Sequence, residues 1–405
     1  MYRTDLVLNP TYAPGASYGS AQRALLNSES IADVKAEVTA WPGYEPTPLV
    51  RLDSRAKAAG IARLWCKYEA PRFGIGSFKP AGPTYAMLTV IKGEVRKATG
   101  VNEVTTKDLV EGRFESITRN ITISAATSGN HGRALAWGAR LFHCRCLIYM
   151  SETVSPGREQ VIASFGAEVV RVPGSFDRAV QRSADDAEEH GYFVVCDKQR
   201  VYPEVPLQII QGYALVGDEI ADQLQEKGEE PTHVFVPAGS GSMASAVCGR
   251  LWERYGSAHP RLITVEPEAS ACLQQSAREG RPAEVADAVP TILDGLVVNE
   301  ASHLGWTILG AGAFAFLSVE DQAAIDAMRQ AAEGSGGDPA LVIGDTGSAG
   351  WAGFLAATSD PQLRRDLELT DDSRVVLVVT EGATDPEVYR TIVGRDPEEV
   401  MTAWA

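Results

Sequence analysis

Short, nearly unbroken apolar runs recur along the chain. Between them lie longer stretches in which apolar residues return every three or four positions. ARLWCKYE (62–69), SITRNITISAAT (116–127), HCRCLIYM (143–150), AEVVRVP (167–173), YFVVCD (192–197), HVFVPAG (233–239), RLITVEP (261–267) and RVVLVVTEG (374–382) read as strands. Most lack polar alternation and are rich in Val and Ile, the pattern of strands covered on both faces. Residues 131–141, 154–166, 177–191 and 207–224 read as helices, and Gly166 and Gly191 stand where helix C-caps are expected. The repeated alternation predicts an α/β fold of mostly parallel sheets flanked by helices.

Two stretches read as joints. Residues 70–84, APRFGIGSFKPAGPT, are dense in Gly and Pro, and residues 198–206, KQRVYPEVP, carry two more Pro. At 405 residues the chain is too long for one ordinary core. The expected division is a discontinuous large domain, 1–85 and 200–405, and a small domain, 86–199. Residues 333–348 form a further Gly-rich loop.

Composition narrows the class. Apolar residues at 44% and charged residues at 22% suit a globular protein in water. A net charge of -16 repels phosphate backbones and argues against nucleic acid as a partner. No apolar run reaches the roughly 18 residues of a membrane-spanning helix. The opening MYRTDLVLNPTYAPGASYGS has no signal-peptide core, so a cytoplasmic location is expected. The six scattered cysteines fit a reducing compartment, and Cys144-Arg145-Cys146 lacks the spacing of a metal or redox pair, so no metal is expected.

Four constellations carry candidate chemistry. Ser77-Phe78-Lys79 places a lysine in a Gly-rich turn just before a helix. Such an amine can form a Schiff base, although a surface or phosphate-contacting lysine also fits. Thr127-Ser128-Gly129-Asn130-His131-Gly132 joins a strand to a helix, whose N-terminus suits a carboxylate; a plain capped turn is the alternative. Gly239-Ser240-Gly241-Ser242-Met243 follows another strand and suits a phosphate. It is not a dinucleotide fingerprint, because Ala244 stands where a third glycine belongs. Thr380 closes the last strand, where a hydroxyl can meet a ring nitrogen or simply cap a turn.

In this order the motifs resemble the fold-type II (tryptophan-synthase-β-like) pyridoxal-phosphate enzymes, and among them the diaminopropionate ammonia-lyases. RFGIGSFKPAG (72–82), ATSGNHGRALAWGARL (126–141), QGYALVGDE (211–219), PTHVFVPAGSGSMA (231–244), GDTGSAG (344–350) and TEGATDPEVYR (380–390) carry the likeness. The resemblance implies pyridoxal 5'-phosphate (PLP) bound as a Schiff base on Lys79, beside Phe78. Asn130 would meet the ring hydroxyl, Gly239 to Met243 the phosphate, and Thr380 the ring nitrogen. Thr127, Ser128, Gly129, His131, Asp197 and Asp345 would border a small amino-acid substrate, with Ser128 and Lys79 as the catalytic candidates. A homodimer is implied by the same analogy.

Three positions depart from that family. Ser128 stands where the ammonia-lyases usually carry an aspartate, a second base acting on D-isomers, and Asp345 replaces a longer glutamate. Residues 197–206 are less aromatic and one residue shorter, though Asp197 is kept. The expectation is α,β-elimination on a small L-amino acid such as 2,3-diaminopropionate, giving a 2-oxo acid and ammonia. Another fold-type II β-lyase or β-replacement enzyme, and a non-catalytic PLP-binding protein, remain as alternatives.

Overall fold

The computed structural model describes residues 1–127, 129–154, 156–197, 203–286 and 289–402. The chain divides into two compact units. One comprises Met1–Ser28, Pro46–Phe78 and Ala214–Ala405, the other Glu29–Glu45 and Lys79–Tyr213.

The first unit is built on a seven-stranded sheet in the order Thr4–Leu8, Ala313–Val319, Arg261–Pro267, His233–Pro237, Arg374–Val379, Arg63–Tyr68 and Leu49–Arg51. The five inner strands are parallel, and each edge strand is antiparallel to its neighbour. The inner strands are buried along almost their whole length, which is why they read as apolar runs. Helices Asp321–Glu333 and Ala349–Ser359 bring Met328, Trp351 and Phe354 into the same core as Phe235, Val265 and Leu317.

The second unit holds a four-stranded parallel sheet in the order Glu168–Val172, Arg145–Ser151, Thr122–Ala126 and Phe193–Val194. Helix Pro83–Thr99 packs on helix Asn130–Leu141, and a Cβ on Gly138 would meet Thr84 Cγ2 at 2.5 Å. Glu37 bonds both Lys92 and Thr106, and Trp41 packs against Trp137 and Phe142. These contacts draw 29–45 and 79–85 to this unit, which therefore starts at Lys79 rather than at 86. It also takes in 203–213, because helix Glu204–Glu226 passes through the division between Tyr213 and Ala214.

The strand expected over 116–127 is shorter, Thr122–Ala126. Glu115–Thr118 forms a helical turn instead, which the Ile121 N–H closes by donating to the Thr118 carbonyl at 2.9 Å. Gly191 caps helix Phe176–His190 in the left-handed conformation, whereas Gly166 lies beyond helix Pro156–Ser164, which ends at Ser164. All six cysteines are free thiols, and only Cys146 of the Cys144/Cys146 pair lies within the Arg145–Ser151 strand. No group of three or more His, Cys, Asp or Glu among the described residues is placed to hold a metal. No helix among them is long and apolar enough to cross a membrane.

Candidate active site

The segment leading to Lys79 is fastened at both ends. At its start the Arg72 guanidinium is fully buried and donates to Glu69 at 2.5 and 2.9 Å and to Glu219 at 3.0 and 2.9 Å. Lys67 Nζ, equally buried, donates to Glu219 Oε2 at 2.6 Å and to the Thr47 carbonyl at 2.8 Å. Two cations and two carboxylates balance, and multiple hydrogen bonds offset their desolvation. Burial alone would raise the Glu219 carboxyl; Arg72 and Lys67 overcome it and hold it down to about 2. Burial lowers Lys67.

After Arg72 the chain coils through Phe73, Gly74 and Gly76, all at positive φ (51°, 68° and 89°). For Phe73 this left-handed backbone costs energy that the surrounding anchors must supply. The other end zips onto the end of the last long strand. Ser77 pairs antiparallel with Glu381, Phe78 N–H donates to the Thr380 carbonyl at 3.0 Å, and Gly382 N–H donates to the Gly76 carbonyl at 2.9 Å. Phe78 is buried beside this ladder. The Thr380 and Ser77 hydroxyls are buried and find no hydrogen-bond partner among the described residues. A buried hydroxyl left so costs roughly 1–3 kcal/mol.

Lys79, the next residue, opens the second unit and a 3-10 turn that ends at Ala81. Gly82 and Pro83 then start the long helix. Lys79 Nζ donates to Tyr213 Oη at 3.2 Å. Two glycines permit that approach: a Cβ on Gly82 would strike the Tyr213 ring at 2.4 Å, and one on Gly212 would strike the Ala81 carbonyl at 2.1 Å. Burial, then Asp197, holds the Tyr213 phenol well above its usual range, so it stays protonated.

In the same unit Thr127 Oγ1 accepts the Gly129 N–H at 3.4 Å, and Asn130 and His131 open helix Asn130–Leu141. His131 Nε2 lies 2.7 Å from the Val195 carbonyl, an acceptor, so Nε2 carries the proton. Burial pushes His131 below its usual range; Asp197 opposes this and Lys79 adds to it. Asp197 Oδ1 is buried without a hydrogen-bond partner among the described residues. Ser128 and residues 198–202 lie outside the described residues, so the expected roles of Ser128 have no structural counterpart.

The first unit supplies the glycine loop between strand His233–Pro237 and helix Ser242–Tyr255. Gly241 sits at φ +94°, and its Cβ would press Leu273 and Leu309 at 3.0 Å; one on Gly239 would meet the Leu296 carbonyl at 3.1 Å. No side chain caps this helix start. Ser240, Ser242 and Met243 are buried around its first N–H groups, which as in any helix start are donors able to receive an anion. Asp345 is buried on the neighbouring Gly-rich loop, where its side chain accepts the Thr346 N–H at 2.9 Å. That loop is pressed on the strand end: a Cβ on Gly344 would meet the Gly382 carbonyl at 2.2 Å.

The family model for "pyridoxal-phosphate dependent enzyme" matches residues 40–381. The chain belongs to the pyridoxal-phosphate-dependent enzymes. It is 34% identical to the diaminopropionate ammonia-lyase of Escherichia coli (strain K12) over 359 residues, covering 87% of this chain and 88% of the relative. Among solved structures, the E. coli diaminopropionate ammonia-lyase in complex with D-serine superposes with a TM-score of 0.86 at 30% identity, over 97% of each chain. The same enzyme in complex with an aminoacrylate-PLP azomethine reaction intermediate gives 0.84 at 31% identity, again over 97% of each chain. The fold is that of fold type II.

The residues present fit the cofactor of this family. A partnerless buried hydroxyl at Thr380 suits a ring nitrogen, and an uncapped helix start behind two close-packed glycines suits a phosphate. Two features had no role in the sequence reading. Tyr213 lies in a quoted motif, QGYALVGDE, but reads as one more aromatic on an apolar helix face. The Lys67–Glu69–Arg72–Glu219 cluster is invisible to patterning, because charged residues are ordinarily read as exposed.

Proposed function

We propose that this PLP-dependent lyase catalyses α,β-elimination on 2,3-diaminopropionate or a similarly small β-substituted L-amino acid, releasing a 2-oxo acid and ammonia. The observation that carries the reading is the buried Thr380 hydroxyl without a partner among the described residues, on the residue whose carbonyl accepts the N–H of Phe78, Lys79's neighbour in the chain. Lys79 would hold the cofactor covalently, Asn130 would meet its ring hydroxyl, Thr380 its ring nitrogen, and the Gly239–Met243 amides its phosphate. Bound there, the cofactor supplies an electron sink that makes an α-proton removable and lets a β-substituent leave.

The rest falls to the chain's own groups. Lys79, when its amine is free, would be the general base at the α-carbon. Thr380, a neutral hydroxyl, would meet the ring nitrogen without supplying a formal proton. Helix-start N–H groups at Gly129 and Asn130 receive the substrate carboxylate. Thr127, Ser128, Gly129, His131, Asp197 and Asp345 would contact the substrate. Serine is too weak a base to replace aspartate at position 128, so the reading includes a strong preference for L-isomers. We also infer a homodimer working in the cytoplasm; light scattering on the purified protein tests the first.

Borohydride reduction of the holoenzyme followed by peptide mapping is expected to place the cofactor on Lys79. Lys79→Ala is expected to lower turnover by a thousandfold or more, on the order of what loss of a covalent anchor and base together removes. Products from a panel of β-substituted amino acids, followed by mass spectrometry, decide between elimination and replacement. A label on another lysine, or no 2-oxo acid from any substrate, overturns the proposal.

A further inference from the structure

Most of the charged groups buried in this molecule face one another and are spoken for by structure. The Lys79–Tyr213 pair differs, because it joins a reactive amine to a phenol that no step above uses. We propose that Tyr213 is a positioning residue for Lys79: its phenol oxygen is the resting acceptor for the Lys79 amine whenever that amine is not bonded to the cofactor. The inference rests on the reading of Lys79 given above and deepens it.

Three observations converge. The Nζ to Oη distance is 3.2 Å, a donor–acceptor pair. Two glycine contacts that leave no room for a methyl group bring the ring and the Lys79 turn together, Gly82 against the ring itself and Gly212 against the turn that carries Lys79. The ring is almost wholly buried, so its place is fixed by packing and not by the hydrogen bond. A fixed oxygen beside a lysine, the most flexible of side chains, removes rotamer freedom that the amine would otherwise lose again at each turnover.

The protonation state matters as much as the place. A tyrosinate would trap Lys79 as an ammonium in a tight ion pair. A neutral phenol accepts a hydrogen bond from the amine or the ammonium without fixing either form, so the lysine can take and give its proton from one position. Asp197 raises the phenol electrostatically, and Asp197 and Lys79 act on His131 in opposite directions. The carboxylate favours keeping the phenol neutral, and a His131 kept below its usual range adds no competing positive charge.

Tyr213→Phe keeps the ring that the glycines enclose and deletes only the oxygen. In the apoprotein, Lys79 of this variant is expected to react about tenfold faster with an amine-acylating reagent than wild-type Lys79, with peptide mapping to identify the site, because the amine no longer donates to the phenol oxygen. In the holoenzyme, kcat with diaminopropionate is expected to fall about tenfold while KM changes less than about twofold, the signature of a base out of place and not of a lost substrate contact. A purely structural tyrosine would lower the melting temperature and leave Lys79 labelling and kcat per folded molecule unchanged; that result overturns the proposal. Should Tyr213→Phe fail to fold, 3-fluorotyrosine at 213 retains the shape with a weaker acceptor, and unchanged Lys79 labelling there overturns it equally. The wild-type control separates the two ideas: if borohydride does not place the cofactor on Lys79, the functional reading fails, and if it does, only the role of Tyr213 is at stake.

Discussion

Two of the junctions at which a parallel strand turns through glycine into a helix carry the candidate binding motifs, and they are built differently. At Gly239 and Gly241 an added Cβ has somewhere to collide: the Leu296 carbonyl and Val298 stand 3.1 Å from the first, Leu273 and Leu309 stand 3.0 Å from the second, and Gly241 is left-handed besides. At Gly129 a Cβ would meet nothing within 4 Å among the described residues, and φ is negative. The first junction is dictated by its neighbours and suits a ligand group of unvarying shape, such as a phosphate. The second is open, so what it receives can change with little cost to folding. It also borders position 128, where the family resemblance leads one to expect an aspartate and the sequence has Ser128.

That contrast can be broken by experiment. The closely packed side is expected to fail hardest where its buried charges are unbalanced. Glu219→Gln leaves Arg72 and Lys67 short of a carboxylate and should cost about 3–5 kcal/mol by denaturant titration. The same carboxyl sets an acid limit. Its folded pKa, about 2, lies below the unfolded value of about 4.3, so its contribution is full above the unfolded value and is lost as pH falls from there through 2. Melting temperature should hold between neutrality and pH 5 and drop below pH 4, with a shallower drop in Glu219→Gln.

Gly241→Ala comes next. Strain and overlap together should cost about 1–3 kcal/mol and weaken cofactor binding at least about tenfold by equilibrium titration. Gly129→Ala, the matched change on the open side, should stay within about 1 kcal/mol. If the two glycine variants lose equal stability, the contrast is wrong. Smallest in stability, and the sharpest in chemistry, is Ser128→Asp: the fold should be indifferent, while turnover of D-diaminopropionate, negligible in the wild type, rises relative to the L-isomer in a coupled 2-oxo acid assay.

Much of the architecture was legible because fully buried parallel strands write themselves as unbroken apolar runs. Three strands escaped for reasons that are equally physical. Thr4–Leu8 and Leu49–Arg51 are edge strands, half exposed and short. Ala313–Val319 is fully buried but follows directly on the apolar helix His303–Gly312, so no polar break separates them. At the site, the glycine loop and Thr380 were visible as strand ends before a turn. Tyr213 was not, since its meaning depends on a lysine far away in sequence, and the Arg72 cluster was not, since nothing local in RFG says that its guanidinium is buried.

The route of the chain carries one more consequence. It enters the second unit's long segment at Lys79 and leaves it at Tyr213, and those two residues are hydrogen bonded to each other. The excursion is thus closed at its neck, with the reactive amine as one of the two stitches. The substrate-facing positions inside that excursion can be rewritten by descent while Lys79, Asn130 and Tyr213 keep their places; a lineage built this way can acquire new specificities without having to reinvent its chemistry.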